Sequence, residues 1–277
     1  MKPAPFAYER PRDVASALAA MAGEGTIKII AGGQSLGPML NLRLVAPDTI
    51  VDITGLDELK HAEVSGDELV IGACVTHADI EDGRIPDVTR GAMQRVAADI
   101  AYRAVRNRGT LGGSLSHADP SADWVSALAA LGATMSLRSA TGARRIAMKD
   151  FVLGALESAL APGELLEAVR VPAMPPSARW GYVKACRKTG EFAHAIGAVL
   201  IDPDAGTARV VIGAVEAAPI IVDDTAALFG GRISHDFATR FDARVADALL
   251  LRAGLGDAAD RHIHVAVLRK AIAEAAK

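Results

Sequence analysis

Cysteine is nearly missing from this chain: Cys74 and Cys186 are the two in 277 residues, with no second cysteine near either. No Cys-x-x-Cys pair occurs, which excludes a zinc ribbon and a cysteine-held iron–sulfur cluster. Such sparse use fits a reducing compartment better than a disulfide framework. Aromatics are scarce too (two Trp, three Tyr, six Phe), so the usual stacking platform for single-stranded nucleic acid is lacking. Lys and Arg number 30 against 33 Asp and Glu, a net charge of −3 that offers no basic field to a nucleic-acid backbone. Long apolar runs are also wanting. The greasiest stretches, Trp124 to Met135 and Val210 to Val222, are too short to span a bilayer, and Glu216 interrupts the second. The segment from Met1 to Tyr8 turns charged at Glu9, Arg10, Arg12 and Asp13 before any signal-peptide core can form. The sequence reads as that of a cytoplasmic, unprocessed protein.

What is present is small and apolar. Hydrophobic residues make up 51% of the chain, charged residues 23%, and glycine appears 26 times. A chain of this length buries about three quarters of its unfolded surface and needs no staple to fold. Length alone suggests two domains, or one domain with lobes.

Along the chain, Pro11 to Met21 has helical spacing, and Thr26 to Ile30 is a short β-branched run. The glycine turn at Gly32-Gly33 follows, then a helix expected from Pro38 to Leu44 and a strand over Thr49 to Ile53, together a β-loop-α-β unit. The next stretch is mixed. Glu68 to Ala73 alternates as a strand, Thr76 to Glu81 opens a helix, and Val88 to Ala101 has helical spacing. After the charged segment Arg103 to Arg108 comes a second glycine turn, Gly109 to Ser114, an alanine-rich helix over Ala122 to Leu131, and an extended run from Thr134 to Leu137. The prolines at 172, 175 and 176 mark a linker. Beyond it, Trp180 to Lys184, Ile196 to Ile201 and Ala208 to Val215 read as three strands, and Asp236 to Ala253 and Asp260 to Ala276 as helices.

The two glycine pairs, Gly32-Gly33 and Gly112-Gly113, are followed by hydroxyl residues at Ser35, Ser114 and Ser116. Glycine between a strand and a helix leaves backbone N–H groups uncovered, and phosphate oxygens bind such groups. Two cradles would suit a pyrophosphate gripped from both sides. A single glycine pair is ordinarily just a turn needing positive φ. Neither turn carries Gly-x-Gly-x-x-Gly or Gly-Lys-Ser/Thr, so phosphate binding is a suggestion from spacing alone.

Three ordered motifs go further: Ala31-Gly32-Gly33-Gln34-Ser35-Leu36; the stretch Val105 to Asp123 centred on Gly109-Thr110-Leu111-Gly112-Gly113-Ser114; and Tyr182 to Ala193. Together they resemble the FAD-binding medium subunits of molybdenum hydroxylases, the flavoproteins of carbon monoxide and xanthine or heterocycle dehydrogenases, over nearly the whole chain. The resemblance implies an α+β fold: a two-lobed FAD-binding domain of the vanillyl-alcohol oxidase (PCMH) type, with lobes over 1–55 and 56–173. A C-terminal lobe over 174–277 would hold a three-stranded antiparallel sheet with helices.

It also implies site residues. Ile29, Ile30, Ala31, Gly32, Gly33, Gln34, Ser35 and Leu36, with Gly109, Thr110, Gly112, Gly113 and Ser114, would hold the pyrophosphate and ribityl chain, Ser114 standing where relatives often carry Asn. Ile100 would lie over the adenine, Asp123 bind the sugar portion, and Leu166 lie beside the isoalloxazine ring. Lys184 would stabilise the reduced flavin with its charge. His117 and Asp119 complete the cofactor set. Glu191 replaces a usual Asp, and Phe192 a tyrosine found in some relatives. From the residues themselves, Asp123 reads equally as a helix cap, Ile100 as helix core and Lys184 as a surface charge. His117, Asp119 and Asp123 lack ligand spacing, so no metal site is expected. Arg103, Arg106 and Arg108 read as solvated or as pairing with phosphate or a partner. His262 and His264 fall on different helix faces and read as solvated or interfacial.

The function implied is electron transfer through non-covalent FAD, from [2Fe–2S] clusters on a small subunit to an acceptor, within a dimer of heterotrimers whose large subunit carries molybdenum–pterin. No catalytic residue is assigned on this chain. A self-contained FAD oxidase of the same cofactor fold is the alternative, and a binding or assembly protein with degenerate cradles a third.

Overall fold

The β-branched strand segments and the alanine-rich helical ones build three larger sheets in succession, with one small two-stranded pair. The computed structural model describes residues 2–222 and 224–277; Met1, at the head of the N-terminal segment, and Asp223 lie outside the described residues. First come β1 (Ala7–Glu9), α1 (Val14–Met21), β2 (Ile27–Ile30), α2 (Leu36–Asn41) and β3 (Thr49–Asp52). The strands form a parallel sheet in the order β1-β3-β2. Asp13 starts α1 by accepting from the Ser16 amide, and Ser16 returns the bond in a capping box. The apolar stripe of α1 packs Ala17 and Leu18 on Val51, Ile53, Leu56 and Leu59.

The middle stretch holds β4 (Ala62–Ser65), β5 (Glu68–Gly72), α3 (His77–Glu81), α4 (Ala92–Ala98), α5 (Arg103–Arg106), α6 (Leu111–His117) and α7 (Asp123–Leu131). It continues through β6 (Thr134–Ser139), β7 (Gly142–Ala147), α8 (Met148–Phe151), the small pair β8 (Val152–Gly154) and β9 (Glu157–Ser158), and β10 (Leu165–Pro172). A five-stranded antiparallel sheet runs β4-β5-β10-β6-β7. Its centre is β10, whose pairing with both β5 and β6 had no sequence signal beyond Leu166. The helix expected from Val88 begins only at Ala92: Asp87 holds the Thr89 and Gly91 amides in a turn, and Gly91 sits at φ +77°.

The last stretch is β11 (Arg179–Ala185), β12 (Ala195–Asp202), β13 (Thr207–Gly213), β14 (Ile220–Val222), α9 (Thr225–Phe229), α10 (Phe237–Arg240), α11 (Ala243–Arg252) and α12 (Ala258–Ala275). The antiparallel sheet here has four strands, not the three expected. Ile220–Val222 is only three residues long, too brief to show a strand period, and it folds back on Val210–Ile212 as an edge. Glu216, which interrupts the greasy run, sits in the connection. The helix expected from Asp236 to Ala253 is broken at the extended Phe241, after which Asp242 caps α11 through the Arg244 amide.

All nine residues of α7 are buried, because α7 lies between the second and third sheets. On the other face of the third sheet lies α12, so β12 is covered on both sides. That explains its almost unbroken apolar run, Ala195 to Ile201, where a half-buried strand would alternate.

Candidate cofactor site

The first glycine loop leaves β2 at Ala31 and enters α2 at Leu36. Gly33 takes φ +70°, the Gln34 side-chain amide donates to the Gly32 carbonyl at 3.0 Å, and the Gly37 amide closes on the Gly33 carbonyl at 3.0 Å. Among the described residues, the amides of Gly32, Gly33, Gln34, Ser35 and Leu36 find no acceptor. Unpaired backbone donors in a row are costly unless water or a ligand satisfies them.

The second loop differs from expectation. Gly112 and Gly113 are not in a turn but in the first turn of α6, capped by the Thr110 hydroxyl, which accepts from the Gly113 amide at 3.1 Å. The Leu111 and Gly112 amides are spent on the Val75 and Ala73 carbonyls, each at 2.9 Å. Glycine is needed here for close approach. A Cβ on Gly32 would stand 1.9 Å from the Arg108 carbonyl oxygen, and one on Gly112 would stand 2.4 Å from the Ala73 Cβ. The two loops therefore press backbone against backbone.

Between them opens a cavity of about 390 Å³. Its wall includes Ile29, Ala31, Gly32, Gly33, Gln34, Ser35 and Leu36 from the first loop. From the second region come Ile100, Gly109, Thr110, Gly112, Gly113, Ser114, His117, Asp119 and Asp123, and from β10 Leu166. Two of the expected residues, Ile30 and Lys184, are not on the wall. Glu191 and Phe192 are, and Phe192 is exposed. Among the described residues, no group of three or more His, Cys, Asp or Glu is placed to hold a metal, and no helix is long and apolar enough to cross a membrane.

Asp123 is not a cap: Ala122 holds that position, and the carboxylate turns inward, buried. It accepts from the Tyr182 hydroxyl at 2.7 Å and the Lys184 ammonium at 2.8 Å. Burial pushes the Asp123 carboxyl up, against the pull of Lys184 and Tyr182, and burial also raises the Tyr182 phenol. Lys184 also donates to the Asp99 carbonyl at 2.8 Å, so it is neither a loose surface charge nor aimed into the cavity.

The arginines are engaged as well. Arg106 holds Glu81 at 2.7 Å and the Ile100 and Ala101 carbonyls, while Arg103 joins Glu81 and Asp82. The Arg106 guanidinium keeps the Glu81 carboxyl below its ordinary range. Of the histidine pair on α12, His262 is exposed; His264 is buried with its ring between the Asp260 and Ala214 carbonyls.

Sequence reasoning missed His77 and Glu164. Both line the cavity, His77 from the start of α3 and Glu164 from the turn before β10, where Arg144 holds it at 2.6 Å. No pattern marks either, since each is brought to the wall by tertiary packing.

Against this geometry, residues 4–174 match the family model described as FAD binding domain in molybdopterin dehydrogenase. The chain belongs to that family. It is 35% identical over 225 residues to the caffeine dehydrogenase subunit beta of Pseudomonas sp. (strain CBB1), covering 79% of this chain and 76% of that one. It is 34% identical over 212 residues to the carbon monoxide dehydrogenase medium chain of Afipia carboxidovorans, covering 74% and 72%. Among solved structures, a chain of carbon monoxide dehydrogenase from Hydrogenophaga pseudoflava superposes with a TM-score of 0.89 at 30% identity, over 99% of this chain and 98% of that one. This molybdopterin-dehydrogenase flavoprotein is accordingly an oxidoreductase subunit with an α+β fold.

Proposed function

We propose that the chain binds FAD non-covalently in the cavity between its two glycine loops. We further propose that it carries electrons from [2Fe–2S] clusters on a small partner subunit to an external acceptor. A large partner would hold molybdenum–pterin, in a dimer of heterotrimers. The observation that carries the reading is the row of five amides, Gly32 to Leu36, that find no acceptor among the described residues, in a loop lining a cavity that the capped start of α6 also lines. Those donors suit the anionic oxygens of a pyrophosphate. Asp119 and Asp123, on the same wall, can accept from sugar hydroxyls. Leu166 and Ile100 offer apolar surface to flat rings. When bound, FAD supplies the redox chemistry. This chain's residues bind and orient it, and Lys184 acts through Asp123, which it holds in place. Lobes over 1–55 and 56–173 would share the cofactor, with 174–277 as the third.

The test is purification from its native host. A yellow complex containing a molybdenum chain and a small iron–sulfur chain, whose flavin is released by trichloroacetic acid, supports the reading. A lone, catalytically competent protein whose acid precipitate stays yellow overturns it in favour of an oxidase.

A further inference from the structure

His77 is almost fully buried, yet one of its ring nitrogens has no partner among the described residues. The Trp124 indole N–H donates to Nδ1 at 3.1 Å. An Nδ1 that accepts carries no proton, so the neutral ring must carry its proton on Nε2. Nε2 makes no hydrogen bond among the described residues, and it is not among the fully enclosed orphan polar atoms. The ring lies on the cavity wall, with its Nε2 edge against Gly109, where a Cβ would stand 2.9 Å away. Gly109 is also the residue against which Gly32 packs. The free donor thus sits where the two loops meet.

We infer that His77 is a dedicated hydrogen-bond donor to the FAD pyrophosphate, its Nε2–H presented to a phosphate oxygen and its tautomer fixed by Trp124. This rests on the FAD reading and adds to it a side-chain contact within a cradle otherwise made of backbone. A charged ring is disfavoured, because an Nδ1–H would face the indole N–H. The donor accordingly remains a neutral imidazole, unlike a lysine or arginine at a phosphate. Burial keeps it so, with the ring pushed down to about 4.

The test uses the full-length chain stripped of flavin and titrated with FAD by flavin fluorescence, in wild type, His77→Leu and His77→Gln, with circular dichroism checking that each is folded. His77→Leu is expected to weaken FAD binding roughly tenfold, the worth of a hydrogen bond to a charged group. It is also expected to shift the ³¹P resonances of the bound pyrophosphate. His77→Gln, which keeps a donor, is expected to restore both in large part. His77→Leu binding within twofold of wild type, or ³¹P resonances unmoved, overturns the inference. Should His77→Leu fail to fold, ¹⁵N-labelled wild type decides: FAD must move the Nε2–H resonance while Nδ1 stays unprotonated, and an unmoved signal overturns it. Wild type that takes up no FAD sinks the cofactor reading and this inference together, whereas wild-type binding with an indifferent His77→Leu sinks the inference alone.

Discussion

Lys184 places its ammonium 2.8 Å from the Asp123 carboxylate, with about a tenth of each side chain exposed, and the pair ties β11 to the head of α7. The helix that lies between two sheets is thus pinned at its first residue by a charge from the third sheet. The same carboxylate borders the cavity, so the position of a wall residue depends on a strand distant in sequence.

Breaking that pair from one side leaves a buried charge with no counterpart. Lys184→Met should lower stability by about 3–5 kcal/mol, since the loss of one partner costs far more than the pair contributes. Adding Asp123→Asn should recover most of it. Urea denaturation of both variants checks this, and equal destabilisation in single and double variants would rule out the pair as the cause.

Glycine substitutions should separate close approach from mere flexibility. Gly32→Ala sets a methyl 1.9 Å from the Arg108 carbonyl oxygen, and backbone cannot give way cheaply. It should cost at least about 1–3 kcal/mol and drive the two loops apart. Gly37→Ala meets no atom within 4 Å, inside the helix α2. It should stabilise by roughly 0.5–1 kcal/mol, because alanine loses less entropy there. Thermal melts of the two variants should move in opposite directions.

Acid should weaken the fold in two windows. His77 in the folded chain lies at about 4, below its ordinary 6.5, so the unfolded chain binds the extra proton first. Stability is therefore full above pH 6.5 and falls as pH drops towards 4, by about 3 kcal/mol. Glu81, held below its ordinary 4.5 by the Arg106 guanidinium, contributes above that value and is lost further into acid. Denaturation midpoints between pH 7 and pH 3 should show both, and His77→Gln should flatten only the upper window.

The two cysteines should differ in reactivity. Cys74 is buried, and burial pushes its thiol up to about 12, so no thiolate forms at neutral pH. Cys186 is partly exposed. A thiol-reactive disulfide reagent should modify one site per folded chain, at Cys186, and two after unfolding, as peptide mapping would report.

Much of the first and second sheets is legible locally. The β-branched runs Thr26 to Ile30 and Thr49 to Ile53 around Gly32-Gly33, and the alanine-rich run Ala122 to Leu131, are local signals, and the structure forms β2 (Ile27–Ile30), β3 (Thr49–Asp52) and α7 (Asp123–Leu131) there. The motif residues that the resemblance singled out around both glycine pairs lie on the cavity wall, apart from Ile30. Strands as short as Ile220–Val222, and a central strand such as Leu165–Pro172 paired with distant partners, carry too little period to be read alone.

Which groups act on one another depends on packing between elements far apart in the chain. In the sequence Asp123 reads equally as a cap, until β11 brings Tyr182 and Lys184 against it; Arg103 and Arg106 read as solvated or as pairing with phosphate or a partner, until Glu81 and Asp82 come opposite them. His77 has no signal at all until Trp124, forty-seven residues on, donates to it. Even the scarce cysteines divide this way. Their number and spacing argue against a cluster held by cysteines alone, while the inertness of Cys74 follows from burial that only packing of the first two sheets supplies.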